Sequence, residues 1–347
     1  MTTITDFQQI VCPYSASNLR NSEGDLIELS DGRILLGWSQ FIGGHEDHST
    51  AHIGGKISDD GGYTWSEPFI LQPNMGKQTT MSLSFLRVDD SILMFYLVKE
   101  DINTDCICYM RKSKDEGQTW EEPYKIFTDP GYYVVNNARV ILTSRNRIII
   151  PAAYYTNIRQ GNSFGICYYS DDGGISWHRG KGRVYLENSK TGIQEPGLVE
   201  LKDGSLMMII RSDRGYIYKS RSCDHGDTWS EPEATPLVSC ISPATIKRIP
   251  NTDKLLIIWN PNVFGKNASW RDRWPLCSAI SKDEGDTWEN IKFLETYPQK
   301  AHAYTSITFI KDKAYLTYYE WNRLPGKQNF EGTCLKLRII DKEWFIE

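Results

Sequence analysis

Several groups of side chains have the types and spacing to do chemistry. His45, His48 and His52 fall within eight residues of GGHEDHSTAHIGGKIS. Three histidines so close are a potential metal site. The segment runs into a strand, however, where 45, 48 and 52 would not share a face. Solvated or substrate-facing histidines are the reading, with no metal. Cys106-Ile-Cys108 is the one close cysteine pair among eight. A single intervening residue is not the usual zinc spacing, so the cysteines read as reduced thiols packed in sheets. No cofactor is implied. Five acidic segments remain: SDDGGYTW from Ser58, SKDEGQTW from Ser113, SDDGGISW from Ser170, SCDHGDTW from Ser222 and SKDEGDTW from Ser281. Each reads S-x-D-x-G-x-[ST]-W. Asp and Ser can bond nearby backbone N–H groups and Gly supplies positive φ, so these are tight turns and not acid catalysts. The Trp that follows buries a large ring against a neighbouring unit.

The near-constant spacing of the five turns signals a repeat architecture. Between them lie six hairpins of apolar strands, starting at Asp25, Leu83, Ala138, Gly197, Ala244 and Ser306. A hairpin plus a turn hairpin makes a four-stranded unit. The sixth unit has no acidic turn and ends in CLKLRIIDKEWFIE. The expectation is an all-β fold: one domain over residues 1–347, a six-bladed β-propeller of four-stranded antiparallel blades. Pairing an N-terminal strand with the last blade would close the ring. With 11 Trp and 19 Tyr the composition suits pleated surfaces. A net charge of -5 argues against a nucleic-acid surface. No run of 18 apolar residues spans a membrane. The N-terminus MTTITDFQQIVCPYS has neither a basic nor an apolar leader region, so a cytoplasmic location is expected, or a secreted one if a leader has been removed.

In repeats, function sits where the copies differ. The polar residues that break the pattern stand beside hairpin strand ends, which a propeller gathers at one end of its channel. Here the chain resembles the sialidases (neuraminidases), six-bladed propellers whose turns of this spelling are called Asp boxes. The resemblance covers essentially the whole length.

The resemblance implies a site. Arg20 in NLRNSEGDLIEL, Arg211 in SLMMIIR and Arg273 in WRDRWPLCSAIS match three arginines that bind a substrate carboxylate. A guanidinium suits that task through its fixed charge and paired donors. Tyr304 in HAYTSITFI and Glu195 in QEPGLVEL match a Tyr nucleophile and its Glu partner. Asp47, or its neighbour Glu46, matches the general acid/base. Glu320 in TYYE matches the acid that orients the first arginine, and Glu23 could serve instead. Two features depart from the family. Arg20-Asn21-Ser22 stands where Arg-Ile-Pro is usual, and Trp38-Ser39-Gln40-Phe41 lacks a pocket arginine. Asn136, Asn137, Arg139, Asn262 and Trp270 are candidates to line a different pocket. The implied function is a retaining exo-glycosidase acting on a terminal sialic acid or related carboxylated keto-sugar. The partner is a sialoside or other acidic glycan. A non-catalytic glycan-binding propeller, or a lyase or other hydrolase on the same scaffold, is the alternative.

Overall fold

A computed structural model describes residues 5–265, 269, 272–323 and 332–347. It is all-β apart from a 3-10 turn and a four-residue helix, α1 (Glu343–Ile346). Strand β1 (Asp6–Cys12) precedes a first antiparallel meander: β2 (Arg20–Glu28), β3 (Ile34–Phe41), β4 (Ala51–Ser58) and β5 (Phe69–Gln72). A second runs β6 (Thr79–Val88), β7 (Ser91–Lys99), β8 (Cys106–Ser113) and β9 (Tyr124–Lys125). After the short β10 (Tyr132–Val134) comes a third: β11 (Ile141–Leu142), β12 (Ile148–Tyr155), β13 (Phe164–Ser170) and β14 (His178–Arg179). The fourth is β15 (Gln194–Glu200), β16 (Leu206–Arg211), β17 (Tyr216–Ser222) and β18 (Glu233–Val238). The fifth is β19 (Thr245–Arg248), β20 (Leu255–Trp259), β21 (Leu276–Ser281) and β22 (Glu289–Glu295). The last is β23 (Lys300–Ile310), β24 (Lys313–Asn322) and β25 (Cys334–Asp341), completed by β1.

The chain's first strand thus pairs with its last, Asp6 opposite Ile340 and Ile10 opposite Lys336. The meanders make five sheets among the described residues, not six. Tyr132 of β10 pairs with Tyr155 of β12 and with Cys106 of β8, merging the second and third into one nine-stranded sheet. An extended aromatic segment laid between two strand edges satisfies both, and that merger has no counterpart in the repeat spelling.

The five acidic turns share one hydrogen-bond pattern. In the first, Asp60 Oδ1 accepts from the backbone N–H groups of Tyr63 and Thr64 and from Ser58 Oγ, and Oδ2 accepts from Thr64 Oγ1. Ser58 Oγ in turn accepts from Gly62 N at 2.8 Å. Led by the Thr64 backbone bond, these donors hold the Asp60 carboxyl down at about 2. A carboxylate so paired is no proton donor near neutrality. Gly62 is needed twice over: its φ is +93°, and a Cβ there would lie 3.1 Å from Ile339 and 3.2 Å from Tyr315 of the last meander.

Apolar clusters fill the space between successive meanders. One joins Leu35 and Leu71 of the first to Leu83, Phe85 and Met94 of the second. Another joins Leu26, Leu36 and Trp38 of the first to Tyr315, Leu337 and Ile339 of the last. Each box tryptophan packs at such a junction, Trp65 and Trp120 at these two. A Cβ on Gly37 would sit 2.2 Å from Leu83 Cδ2, so the two meanders meet there without room for a methyl. Truncating a buried leucine such as Leu83 to Ala costs about 2–5 kcal/mol. First strands of neighbouring meanders touch: β2 meets β6, β6 meets β11, β15 meets β19, β19 meets β23 and β23 meets β2, while between the third and fourth it is β12 that meets β15.

Candidate active site

Four of the first strands share an irregularity that builds the site. In β2, β6, β15 and β23 the register slips so that two residues face one on the partner strand. The first bulged residue in each has positive φ: Glu23 at 54°, Ser82 at 60°, Glu195 at 42° and Tyr304 at 60°. A bulge of this kind re-aims a side chain. A non-glycine residue held there costs about 1–3 kcal/mol, which its surroundings must offset. All four side chains line one cavity of about 290 Å³.

Glu195 and Tyr304 meet in that cavity. Tyr304 Oη donates to Glu195 Oε1 at 2.6 Å. Arg211, at the end of β16, donates to the other Glu195 oxygen and lies 3.4 Å from Tyr304 Oη. Burial, with the Glu195 charge added, pushes the Tyr304 phenol well above its usual 10, against the pull of Arg211 and Arg273. The phenol is therefore neutral, and the Glu195 carboxyl is in contact with its hydroxyl. Asn137 Nδ2 fixes the strand below by donating to Tyr304 O at 3.0 Å and Gly24 O at 2.7 Å.

Arg273 bonds the Tyr319 hydroxyl, and its guanidinium lies 5.2 Å from the Tyr304 ring centroid. Tyr304 and Tyr319 stack at 5.0 Å. Arg20 is buried, with its guanidinium 4.5 Å from the Phe41 ring. It donates to Asp47 Oδ1 at 2.6 Å, His45 O at 3.2 Å, Ser22 Oγ at 3.0 Å and Glu23 Oε1 at 3.3 Å. Asp47 stands at the cavity mouth, its side chain 62 % exposed. Desolvation there opposes its charge, but Arg20 and Lys99 outweigh it and hold the carboxyl well below the usual range. Glu46 faces outward and pairs with His45 at 3.3 Å.

Arg20, Arg211, Arg273, Asp47, Glu195 and Tyr304 thus border a single cavity. Glu320 does not. Tyr319 of β24 faces the cavity, so by strand alternation its neighbour points away. Glu320 instead meets His302 at 3.0 Å and Lys300 at 3.0 Å, and His302 first and then Lys300 pull its carboxyl down to about 2. The acid beside Arg20 is Glu23, which also accepts from Ser39 at 3.1 Å and Ser82 at 3.2 Å. Placing Glu320 there is corrected in favour of Glu23. Asn136 lines the cavity, whereas Arg139 lies beneath it and bonds Thr245 and Ala244. Asn262 lines a separate surface hollow, and Trp270 lies outside the described residues. His52 bonds Gln40 at 2.7 Å. Among the described residues no group of three or more His, Cys, Asp or Glu could hold a metal ion. The sequence reading missed Lys99, Tyr319, Ser82 and the apolar wall of Met81, Leu97, Cys106, Tyr132, Tyr133, Val134 and Ile158. All of these but Ile158, which opens the 3-10 turn, sit in strands whose spelling is ordinary sheet.

Buried guanidinium groups gathered about a Tyr–Glu pair can hold a small carboxylate and present a nucleophile beside it. Comparison with known proteins agrees in family. Residues 16–316 match the BNR repeat-like domain. The chain belongs to the BNR repeat-like family of the sialidase superfamily. It is 25% identical over 248 residues to an anhydrosialidase of Macrobdella decora, covering 62% of this chain and 30% of that one. It is 25% identical over 232 residues to a sialidase of Paraclostridium sordellii, covering 58% and 55%. The chain therefore matches only about a third to a half of these relatives' lengths. Trypanosoma rangeli sialidase, solved with the inhibitor DANA, superposes with a TM-score of 0.74 at 16% identity, over 96% of this chain and 59% of that one.

Proposed function

We propose that the six meanders form a six-bladed propeller and that the cavity at its centre is the active site of a retaining exo-glycosidase. The substrate is a terminal sialic acid or related carboxylated keto-sugar on an acidic glycan. The observation that carries this reading is the 2.6 Å bond from Tyr304 to Glu195, with Arg211 on the same carboxylate and Arg20 and Arg273 lining the same cavity. In this reading Arg20, Arg211 and Arg273 bind the sugar carboxylate. Tyr304 Oη attacks the anomeric carbon while its proton passes to Glu195. The bond to the aglycone oxygen breaks, and that oxygen takes a proton from Asp47. Water then attacks the same carbon and gives a proton to Asp47, while Tyr304 leaves and recovers its own from Glu195. A neutral phenol suits a carbon bearing a carboxylate, because an anionic nucleophile would be repelled.

The test is hydrolysis of fluorogenic glycosides of N-acetylneuraminic acid and of other 2-keto-3-deoxy ulosonates. Wild type releases fluorophore from at least one. Tyr304→Phe loses most turnover yet still binds the free acid. Turnover of Tyr304→Phe at the wild-type rate overturns the mechanism. The departures at Asn21-Ser22 and Trp38–Phe41 favour a second reading, a glycan-binding module without catalysis. Binding of the free acid with no release from any glycoside would establish it.

A further inference from the structure

Lys99 is a buried cation in the cavity that the proposed chemistry leaves without a task. It ends β7, is 6% exposed, and lines the same cavity as Tyr304 and Arg20. Among the described residues no carboxylate oxygen lies within 4.0 Å of its ammonium, although Glu23 and Asp47 share the cavity with it. A buried lysine is usually paired. This one donates instead to a main-chain oxygen, Asp47 O, at 2.8 Å, with the Tyr132 ring centroid 5.6 Å away. Burial opposes its charge, and the Asp47 carboxylate and main-chain oxygen favour it.

The partner it has chosen matters. Residues 43–49 form a loop closed on itself: Gly43 N donates to Thr50 O at 3.1 Å and Ser49 N to Glu46 O at 2.9 Å. Arg20 holds this loop twice, through His45 O and Asp47 Oδ1. Lys99 holds it from the second meander, through Asp47 O. The two holds differ in kind. A substrate carboxylate arriving at Arg20 competes with Asp47 Oδ1 for the same guanidinium. It does not compete for the Asp47 carbonyl.

We propose that Lys99 is a positioning residue for Asp47, keeping the loop docked when the substrate carboxylate takes Arg20 and frees the Asp47 side chain to serve the leaving oxygen. This rests on the glycosidase reading above. Lys99 acts through the main chain, so the carboxylate stays free to protonate while its backbone stays in place. A misplacement of about 1 Å in a reacting group can cost about 100-fold in rate.

The experiment compares two glycosides of one keto-sugar, with an aryl and an alkyl leaving group. An aryl oxide departs with little proton assistance, whereas an alkoxide needs the acid. The quantity read is kcat/KM, which ends at the first bond-breaking step. Lys99→Met is expected to lose about 100-fold or more on the alkyl glycoside and less than about tenfold on the aryl one. Lys99→Arg, which can still donate to the Asp47 carbonyl, is expected to recover most of the alkyl activity. Should Lys99→Met fail to fold, Lys99→Leu replaces it, a side chain that likewise has no donor for the Asp47 carbonyl, with the same selective loss expected. Equal losses on both glycosides, in whichever variant folds, would assign Lys99 to binding or packing and overturn the proposal. Failure of wild type to cleave either glycoside would instead remove the glycosidase reading, and this proposal with it.

Discussion

The Glu195→Gln substitution puts a number on the Tyr–Glu pair. At pH 7 a phenol with the ordinary value of 10 is three units from ionising, about 4 kcal/mol at 1.36 kcal/mol per unit. In the variant burial still raises Tyr304 while Arg211 and Arg273 pull it down, so about 4 kcal/mol sets the scale. In the proposed mechanism Glu195 Oε1, 2.6 Å from the hydroxyl, removes that requirement by taking the proton as the new bond forms. Glutamine cannot take it. Turnover at pH 7 should therefore fall by about 1000-fold, within the range that proton transfer by a positioned side chain supplies. The signature is the pH profile. With the base gone only the phenolate reacts, so kcat of Glu195→Gln should rise about tenfold per pH unit above neutrality. Stopped-assay rates on a fluorogenic ulosonide from pH 6 to 9 read this directly, with thermal melting to establish that the variant is folded. A loss smaller than about tenfold, or a flat profile, would refute Glu195 as the proton acceptor.

Further outcomes are expected. Because Arg20 and Lys99 depress Asp47 in this structure, kcat/KM should already be falling with rising pH where kcat is still level. Substrate that takes Arg20 lets the Asp47 carboxyl rise, so coincident alkaline limbs would show that Asp47 is not the acid. Asp25 is buried, and desolvation raises it to about 6 despite donations from Phe85 N and Leu26 N. Its stabilising protonated form is complete below about 4 and lost as pH rises through about 6, so wild type should lose about 3 kcal/mol relative to Asp25→Asn between pH 3.5 and 7, by urea denaturation at each pH. Glu320 has the opposite sign: its lowered carboxyl contributes above about 4.5, and that contribution fades as pH falls toward about 2. Glu320→Gln should cost about 1–3 kcal/mol at pH 7 and less at pH 3, while inhibition by the free keto-acid changes by no more than about twofold.

The scaffold was legible because its signals are local. The Asp, Ser and Gly of each turn bond to one another within five residues, so S-x-D-x-G-x-[ST]-W encodes its own geometry. The pairing of β1 with β25 was legible from the sixth unit's missing strand. The resemblance gathered Arg20, Asp47, Glu195, Arg211, Arg273 and Tyr304, all of which border one cavity. What sequence did not disclose depends on register. A bulge shifts which face a residue occupies, and nothing in SEGDL or YTSIT spells the slip that turns Glu23 and Tyr304 inward. Glu320 was misplaced for the same reason: its identity fitted, but strand alternation gave the cavity to Tyr319. Lys99 was silent because a strand-ending lysine is ordinary until its ammonium is found against a loop from another meander.

The pairing of β1 with β25 also sets how the molecule bears load. The strands are antiparallel, so Asp6 and Ile340 lie together at one end of the ladder and Ile10 and Lys336 further along it. Tension applied at the two chain ends would meet these bonds one after another, peeling the ladder open like a zip instead of shearing it all at once. The same motion exposes the apolar cluster of Val11, Leu26, Trp38, Tyr315 and Leu337. The junction that completes the sixth meander is thus the one that tension on β1 would open first, whereas tension beyond β25 first meets α1, which Asn290 and Lys292 of the fifth meander hold.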